Sequence, residues 1–167
     1  VLIDRSRNNV RRLGFFEEGE VNETPGSAPD RARVQVAVTE QPTGELAFGA
    51  GFSSTDAFLV DLSISERNLR GRGQFLRFRI SASSNRESID IRFTEPRFLD
   101  RNLAAGFDLF RVNSDFLSEA SFQTESTGAS VRLGFPVTAS TNLQLGYTLR
   151  TDNVLVYSSA SQALLNQ

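Results

Sequence analysis

Hydrophobic and polar residues alternate along most of this chain, from residue 45 to about residue 150. A period of two places apolar side chains on one face of a strand and small or polar side chains on the other. Seven segments follow this pattern: residues 45–52, 58–65, 75–82, 88–94, 103–112, 129–135 and 143–150. The pattern predicts seven consecutive antiparallel strands, a meander with one apolar face.

The first 41 residues follow a different pattern. Apolar residues recur at a helical spacing over residues 2–13, and Gly14 stands where a glycine would end a helix. The stretches FFEEGEVNET and RARVQVAVTE indicate two short strands, joined by the turn-rich PGSAPD. We predict a helix plus a β-hairpin, a partial α+β domain over residues 1–41, and a separate β domain over residues 42–167.

The polar face of the seven segments distinguishes a membrane barrel from a soluble sheet. It is built mostly from Gly, Ala, Ser, Thr and Gln, whereas the water-facing side of a soluble sandwich would be rich in Lys and Glu. Six charged residues on neighbouring segments could pair across strands: Asp61, Arg77, Arg79, Asp90, Arg92 and Asp108. Such a charge ladder is typical of the polar lumen of a transmembrane barrel. We therefore favour an antiparallel transmembrane β-barrel, with a soluble sandwich or lipocalin-like barrel as the alternative.

The composition removes several classes of function. A net charge of −2 does not favour binding to nucleic acid. The absence of His and Cys removes the commonest metal ligand and the thiol nucleophile. Gly49-Ala50-Gly51 lacks the third glycine and the following helix of a dinucleotide loop. We expect no enzymatic activity, no cofactor and no metal site. Fourteen Phe with two Tyr and no Trp depart from the usual Tyr and Trp girdles of membrane proteins.

The predicted connections differ in length. Those after the second, fourth and sixth segments are compact, whereas NSDFLSEASFQTES, after the fifth, is expected to be a long loop. Long loops on one side only are typical of an outer-membrane meander, whose short turns lie in the periplasm. Arg70 and Arg72 occupy one of the short turns. We expect this turn to be solvated, with contact to phosphate-bearing lipid as the alternative.

Several long motifs, in order along the chain, resemble a known family. LGFFE, PGSAPDR and VTEQPTGELAFGAGFSS are followed by NLRGRGQ, FTEPRFLDRNLAAGFDLF and VRLGFPV. Together they are similar to the β-barrel assembly factors of the bacterial outer-membrane insertase superfamily. The resemblance implies that residues 1–41 end the last periplasmic POTRA repeat and that residues 42–167 begin a sixteen-stranded outer-membrane barrel. Seven strands cannot close such a barrel, so we expect an open sheet and a fragment of a longer gene product.

The resemblance also implies a function, the folding and insertion of β-barrel proteins into the outer membrane. The implied partners are nascent outer-membrane proteins, periplasmic assembly lipoproteins and outer-membrane lipid, without nucleic acid. A client strand would add to the first barrel strand at a lateral gate, on Leu46, Ala47, Phe48, Gly49, Ala50, Gly51 and Phe52. Pro42 and Gly44 would form the hinge between the two domains. The alternatives are a two-partner-secretion or translocation transporter of the same superfamily, and a passive porin or soluble β-barrel binding protein.

Overall fold

The chain contains two compact units, Val1–Gly44 and Glu45–Gln167. The computed structural model describes residues 2–28, 31–54, 57–116, 122–138 and 140–156. Parts of the predicted PGSAPD turn and the end of the chain beyond residue 156 therefore lie outside the described residues. Within the described ranges, no helix has the length and apolar character needed to cross a bilayer.

The first unit is a helix and a β-hairpin, as predicted. Its elements are α1 (Leu2–Arg12), β1 (Phe16–Pro25) and β2 (Ala32–Glu40). After the helix, Gly14 takes the left-handed conformation (φ 67°) that ends helices. Val10 of the helix lies over Gly19 of β1. A Cβ added at Gly19 would be 2.9 Å from the Cγ1 atom of Val10. The neighbouring Val21 is 2% exposed and forms the centre of this small core.

The second unit is an open antiparallel meander of seven strands, which confirms the predicted fold. The strands are β3 (Gly44–Ser53), β4 (Ala57–Leu69), β5 (Gln74–Ser83), β6 (Arg86–Glu95), β7 (Ala104–Phe116), β8 (Phe122–Pro136) and β9 (Asn142–Val156). They follow one another in the sheet in chain order, so that β3 and β9 are the outer strands. A 3-10 helix, Phe98–Asp100, lies in the turn between β6 and β7.

The prediction of a long loop over residues 113–126 is wrong. β7 continues to Phe116 and β8 begins at Phe122, with Asn113 opposite Glu125 in an unbroken register. Backbone pairing does not require apolar side chains, and the stretch contains neither Gly nor Pro to interrupt it. The rings of Phe116 and Phe122 close the ladder, with centroids 5.3 Å apart. The residues between them, 117–121, lie outside the described ranges.

The two faces of the sheet differ in chemistry. We call the face that carries Leu109 the apolar face and the face that carries Asp108 the charged face. Side chains of the apolar face are exposed rather than packed in a core: Phe48 is 71% exposed, Val131 56% and Tyr147 64%. Such a surface fits contact with lipid and does not fit a soluble sandwich, whose apolar face would be its core.

The apolar residues form a band that crosses the sheet diagonally. One row of directly opposite residues runs from β4 to β9: Ile64, Phe78, Ile91, Leu109, Ala129 and Leu149. On β4 the band extends from this row back to Phe58, whereas on β9 it extends the opposite way, to Leu143. The band thus shifts by about six residues, or ~20 Å, over five strand spacings, or ~24 Å. This corresponds to strands tilted by about 40°, as in transmembrane barrels.

Beyond the band, at the loop end of β7 and β8, the polarity of the faces is inverted. Arg111 of β7 forms an ion pair on the apolar face with Glu125 of β8, with Nη2 and Oε1 2.7 Å apart. The charged face carries Phe110 and Val112 at the same level of β7. These strands therefore extend past the lipid-facing band into a polar environment.

Candidate functional site

The predicted gate strand, β3, is exposed along nearly its whole length. Its apolar side chains are among the most exposed of the described residues: Leu46 is 70% exposed, Phe48 71% and Phe52 83%. Ala47, Gly49, Ala50 and Gly51 between them are exposed as well. β3 is an outer strand with β4 as its neighbour in the sheet order. The backbone of an outer strand has N–H and C=O groups on its other side that can accept an added strand.

The glycines of β3 are not required by close packing. A Cβ added at Gly49 would lie 3.7 Å from the Cβ of Asp61, which is an ordinary contact. A Cβ at Gly51 would meet no atom within 4 Å. Glycine in a strand lowers stability by roughly 0.5–1 kcal/mol relative to alanine. The two glycines thus weaken β3 where larger residues would fit.

The predicted hinge residues lie where the chain passes from β2 to β3. Pro42 belongs to the three-residue connection 41–43, and Gly44 is the first residue of β3. Gln41, at the start of the connection, donates from its backbone N–H to the carbonyl oxygen of Phe15 (3.1 Å) and from its side-chain amide to that of Gly14 (2.9 Å). The chain is therefore held to the rest of the first unit up to residue 41, and the next residue but one, Thr43, is buried (8% exposed), so that the hinge at Pro42 and Gly44 stays a prediction.

The six residues of the predicted charge ladder lie on the charged face of β4 to β7. Asp61 of β4 accepts hydrogen bonds from Arg79 Nε at 2.8 Å and from Ser81 Oγ at 2.7 Å. Arg77 of β5 lies 3.3 Å from Asp90 of β6, diagonally across the strand pair. Each of these acids is thus matched to an Arg of a neighbouring strand.

Asp108 of β7 has the densest contacts of this face and is 7% exposed. It accepts hydrogen bonds from Arg92 Nε of β6 and from Arg132 Nε of β8, both at 2.7 Å. Arg132 Nη2 also reaches the Oγ1 of Thr94 at 3.3 Å. Arg132 was not among the predicted ladder residues, although its place in the alternation of β8 assigns it to this face. The signal that could have identified it is Gly106 opposite on β7, which leaves room for the guanidinium.

These carboxylates do not form a metal site. No group of three potential ligands that could hold an ion occurs within residues 2–28, 31–54, 57–116, 122–138 and 140–156. Asp61, Asp90 and Asp108 are instead each bound by an Arg. The charged face is therefore a set of ion pairs that join neighbouring strands.

Comparison with known proteins agrees with this architecture. Residues 68–166 match the model of the Omp85 superfamily domain. The outer membrane protein assembly factor BamA of Neisseria meningitidis serogroup B is 26% identical over 163 residues, which are 95% of this chain and 20% of the relative. BamA of Nitratidesulfovibrio vulgaris is 30% identical over 145 residues, 87% of this chain and 18% of the relative. The chain thus spans about a fifth of the length of these curated relatives.

Two solved structures share the fold. BamA from Haemophilus ducreyi lacking POTRA domains 1–3 matches 92% of this chain and 30% of its own, with a TM-score of 0.77 at 24% identity. CdiB from Acinetobacter baumannii matches 92% of this chain and 32% of its own, with a TM-score of 0.63 at 12% identity. The lipid-facing sheet and the outer-membrane relatives locate the chain in the bacterial outer membrane. By its domain match and its seven-stranded sheet, the chain belongs to the Omp85 superfamily.

Proposed function

We propose that the gene product carrying this chain folds and inserts β-barrel proteins into the outer membrane, without an enzymatic step. The observation that carries the proposal is the exposed outer strand β3 in a chain whose curated relatives are named assembly factors. Residues 42–167 belong to the membrane barrel in this proposal, and residues 1–41 lie in the periplasm. Nascent outer-membrane proteins are the clients, and periplasmic assembly lipoproteins are further partners.

The mechanism follows from the backbone of an outer strand. In an antiparallel sheet the N–H and C=O of one residue point to one neighbour, and those of the next residue point the other way. Alternate residues of Leu46–Phe52 therefore face the open side of β3, where a client strand can hydrogen-bond. Each such bond contributes about 0.5–1.5 kcal/mol, and burial of the client's apolar face in lipid adds to it. The free energy of insertion comes from the client's own folding.

Ala47 and Ala50 offer a matched test of this mechanism. They are the same residue type and lie three positions apart, so their N–H groups point to opposite sides of β3. Proline removes the N–H of either residue. Proline at the residue whose N–H points to β4 should weaken pairing within the protein's own sheet. Proline at the other residue, whose N–H points to the open side of β3, should leave the protein folded but reduce client assembly. Ala→Ser at both positions is the control.

The assay is the amount of folded outer-membrane proteins in cells that depend on each variant, measured by heat-modifiable gel mobility. The proposal fails if the variant that preserves the protein's own fold also preserves client assembly. Transport by a secretion-type relative is the alternative function. It predicts normal levels of membrane barrels together with the loss of one secreted substrate.

A further inference from the structure

The second unit contains twelve arginines, of which Arg67 lies near the end of β4 and Arg86 begins β6; the other ten fall into two groups that differ in their partners. Six of them form ion pairs with carboxylates: Arg77, Arg79, Arg92, Arg111, Arg132 and Arg150. Four others lie in the two turns that follow β4 and β6, are exposed, and form no ion pair with any described residue: Arg70, Arg72, Arg97 and Arg101. We propose that these two turns bind the phosphate-bearing lipid headgroups at the membrane face where β3 begins.

The first turn, residues 70–73, is held in one shape by Asn68. The Oδ1 of Asn68 accepts a hydrogen bond from the N–H of Gly73 at 2.8 Å, and its carbonyl oxygen accepts one from Gly71 at 2.9 Å. Arg70 adopts a left-handed backbone conformation (φ 59°), which residues other than glycine rarely take. The turn therefore presents its two arginines from a fixed backbone rather than from a mobile loop.

The second turn, residues 96–103, exposes apolar side chains at its tip. Leu99 is 71% exposed and Phe98 41%. Leu99 and Asp100 both have left-handed backbones, with φ of 58° and 57°. Hydrogen bonds hold this shape: the N–H of Phe98 donates to the carbonyl oxygen of Leu103 at 2.8 Å. Strained backbone that is held in place in this way is common at binding surfaces.

The position of the second turn indicates a lipid surface. It joins β6 and β7 just beyond Phe93 and Phe107, whose rings pack 5.5 Å apart on the apolar face. The turn thus follows directly on the lipid-facing band, at the level where hydrocarbon gives way to headgroups. Apolar side chains flanked by cations are the composition that binds this interfacial layer.

The charges of the two turns favour an anionic surface. Against four arginines the turns contain one acid, Asp100, which is exposed. Two further acids and one more arginine, Arg67, lie at the adjoining strand ends, so residues 66–74 and 95–103 together hold five arginines and three acids, a net charge of +2. Glu66 Oε1 accepts the N–H of Asn68 at 2.7 Å, and Glu95 Oε2 accepts the side-chain amide of Gln74 at 2.5 Å. A basic residue near an anionic lipid surface strengthens binding about fivefold.

The inference rests on the outer-membrane location of the chain and not on client addition at β3, so its test contains no client. The gene product is reconstituted in vesicles of phosphatidylcholine, with and without phosphatidylglycerol. The chain has no Cys, so Leu99→Cys creates a single labelling site within these residues for a nitroxide. Accessibility to oxygen and to a water-soluble nickel chelate then reports whether residue 99 lies in lipid or water. Leu109→Cys on the apolar face and Thr148→Cys on the charged face are the two reference sites.

We expect the label at residue 99 to be more accessible to oxygen than to nickel, as at residue 109, and more so when phosphatidylglycerol is present. The double change Arg97→Gln and Arg101→Gln should abolish this dependence on anionic lipid, as should high salt. Arg33→Gln, an exposed Arg of β2, removes a charge elsewhere and should have no effect. The inference is overturned if the label at residue 99 has the same accessibilities to oxygen and nickel as the label at residue 148. It is also overturned if inorganic phosphate in detergent changes the accessibility of the label at residue 99 as much as phosphatidylglycerol does in vesicles.

Discussion

Substitution of Gly106 by alanine should destabilise the barrel wall at its most highly connected point. Gly106 of β7 lies between Thr94 of β6 and Arg132 of β8 in the register. A Cβ there would be 2.7 Å from the carbonyl oxygen of Phe93 and 3.0 Å from Arg132 Nη2. The first contact is with backbone, which cannot move without disturbing the ladder between β6 and β7. The second would displace the guanidinium that binds Asp108.

The expected loss in free energy of unfolding follows from these two contacts. Overpacking against fixed backbone typically costs about 1–3 kcal/mol. Displacement of Arg132 from Asp108 adds up to about 1.5–3 kcal/mol, since hydrogen bonds to charged groups are of this size. Alanine also loses less conformational entropy on folding than glycine, which offsets this loss by about 0.5–1 kcal/mol. For Gly106→Ala we therefore expect a loss of about 2–4 kcal/mol in the free energy of unfolding. The loss is smaller if the displaced Arg132 side chain, which is one quarter exposed, hydrogen-bonds to water.

Gly134→Ala is the matched control, because Gly134 lies on the same face, two residues beyond Arg132. A Cβ there would be 3.8 Å from the Cβ of Ala104, which is an ordinary contact. We expect this variant to be unchanged or more stable by about 0.4–1 kcal/mol. The assay is urea unfolding of the gene product in lipid vesicles, followed by heat-modifiable gel mobility. Equal stability of the two variants would refute the assignment of Gly106 to a space-saving role.

Two further predictions concern the faces of the sheet and are checked by the same unfolding assay. Leu145→Arg on the apolar face should cost about 2–4 kcal/mol, as for a cation in the lipid-facing band, whereas Gln144→Arg on the charged face should be nearly neutral; equal effects would reverse our assignment of the faces. Arg132→Gln should cost about 1.5–3 kcal/mol because it leaves Asp108 with Arg92 alone. Arg150→Gln should not measurably change the free energy of unfolding, because the ion pair of Arg150 with Asp152 is exposed and lies within β9. A loss of stability equal to that of Arg132→Gln would contradict this distinction.

The number and order of the strands could be predicted from the sequence because alternation continues for seven segments with turn residues between them. The helix and hairpin followed equally from local signals, above all from Gly14. The end of β7 and the start of β8 could not be predicted. There the polarity inverts, so that Phe110 and Val112 turn to the charged face while Arg111 turns to the other. A pattern that reverses phase within one strand has no clear period, and residues 113–126 therefore resembled a loop.

The partners of the charged residues were predictable only in part. Alternation assigns each charge to a face, but the choice between directly opposite and diagonal partners depends on register and side-chain reach. Arg79 lies directly opposite Asp90, yet its ion pair is with Asp61. The role of Arg132 depends on the space above Gly106, which becomes apparent only when three strands are placed side by side.

The distribution of ion pairs across the sheet bears on how β3 could release its neighbour. In the described part of the chain, ion pairs link each neighbouring pair of strands from β4 to β8. β3 has only one charged residue, Glu45, and takes part in none of these links. Its Gly49 and Gly51 further reduce its stability. The sheet thus combines a cross-linked wall with a weakly held outer strand.

This difference predicts a gradient of hydrogen exchange in the gene product in lipid vesicles without clients. A strand that lacks one charge-assisted link of about 1.5–3 kcal/mol should open about tenfold or more often, since 1.4 kcal/mol corresponds to a factor of ten. Amides of residues 46–52 should therefore exchange at least tenfold faster than those of residues 76–82 on the ion-paired β5. Introducing Arg at Gly49, whose Cβ position is 3.7 Å from that of Asp61, should slow exchange in β3 and reduce client assembly together. Slower exchange with undiminished assembly would show that a loosely held β3 is not needed for function.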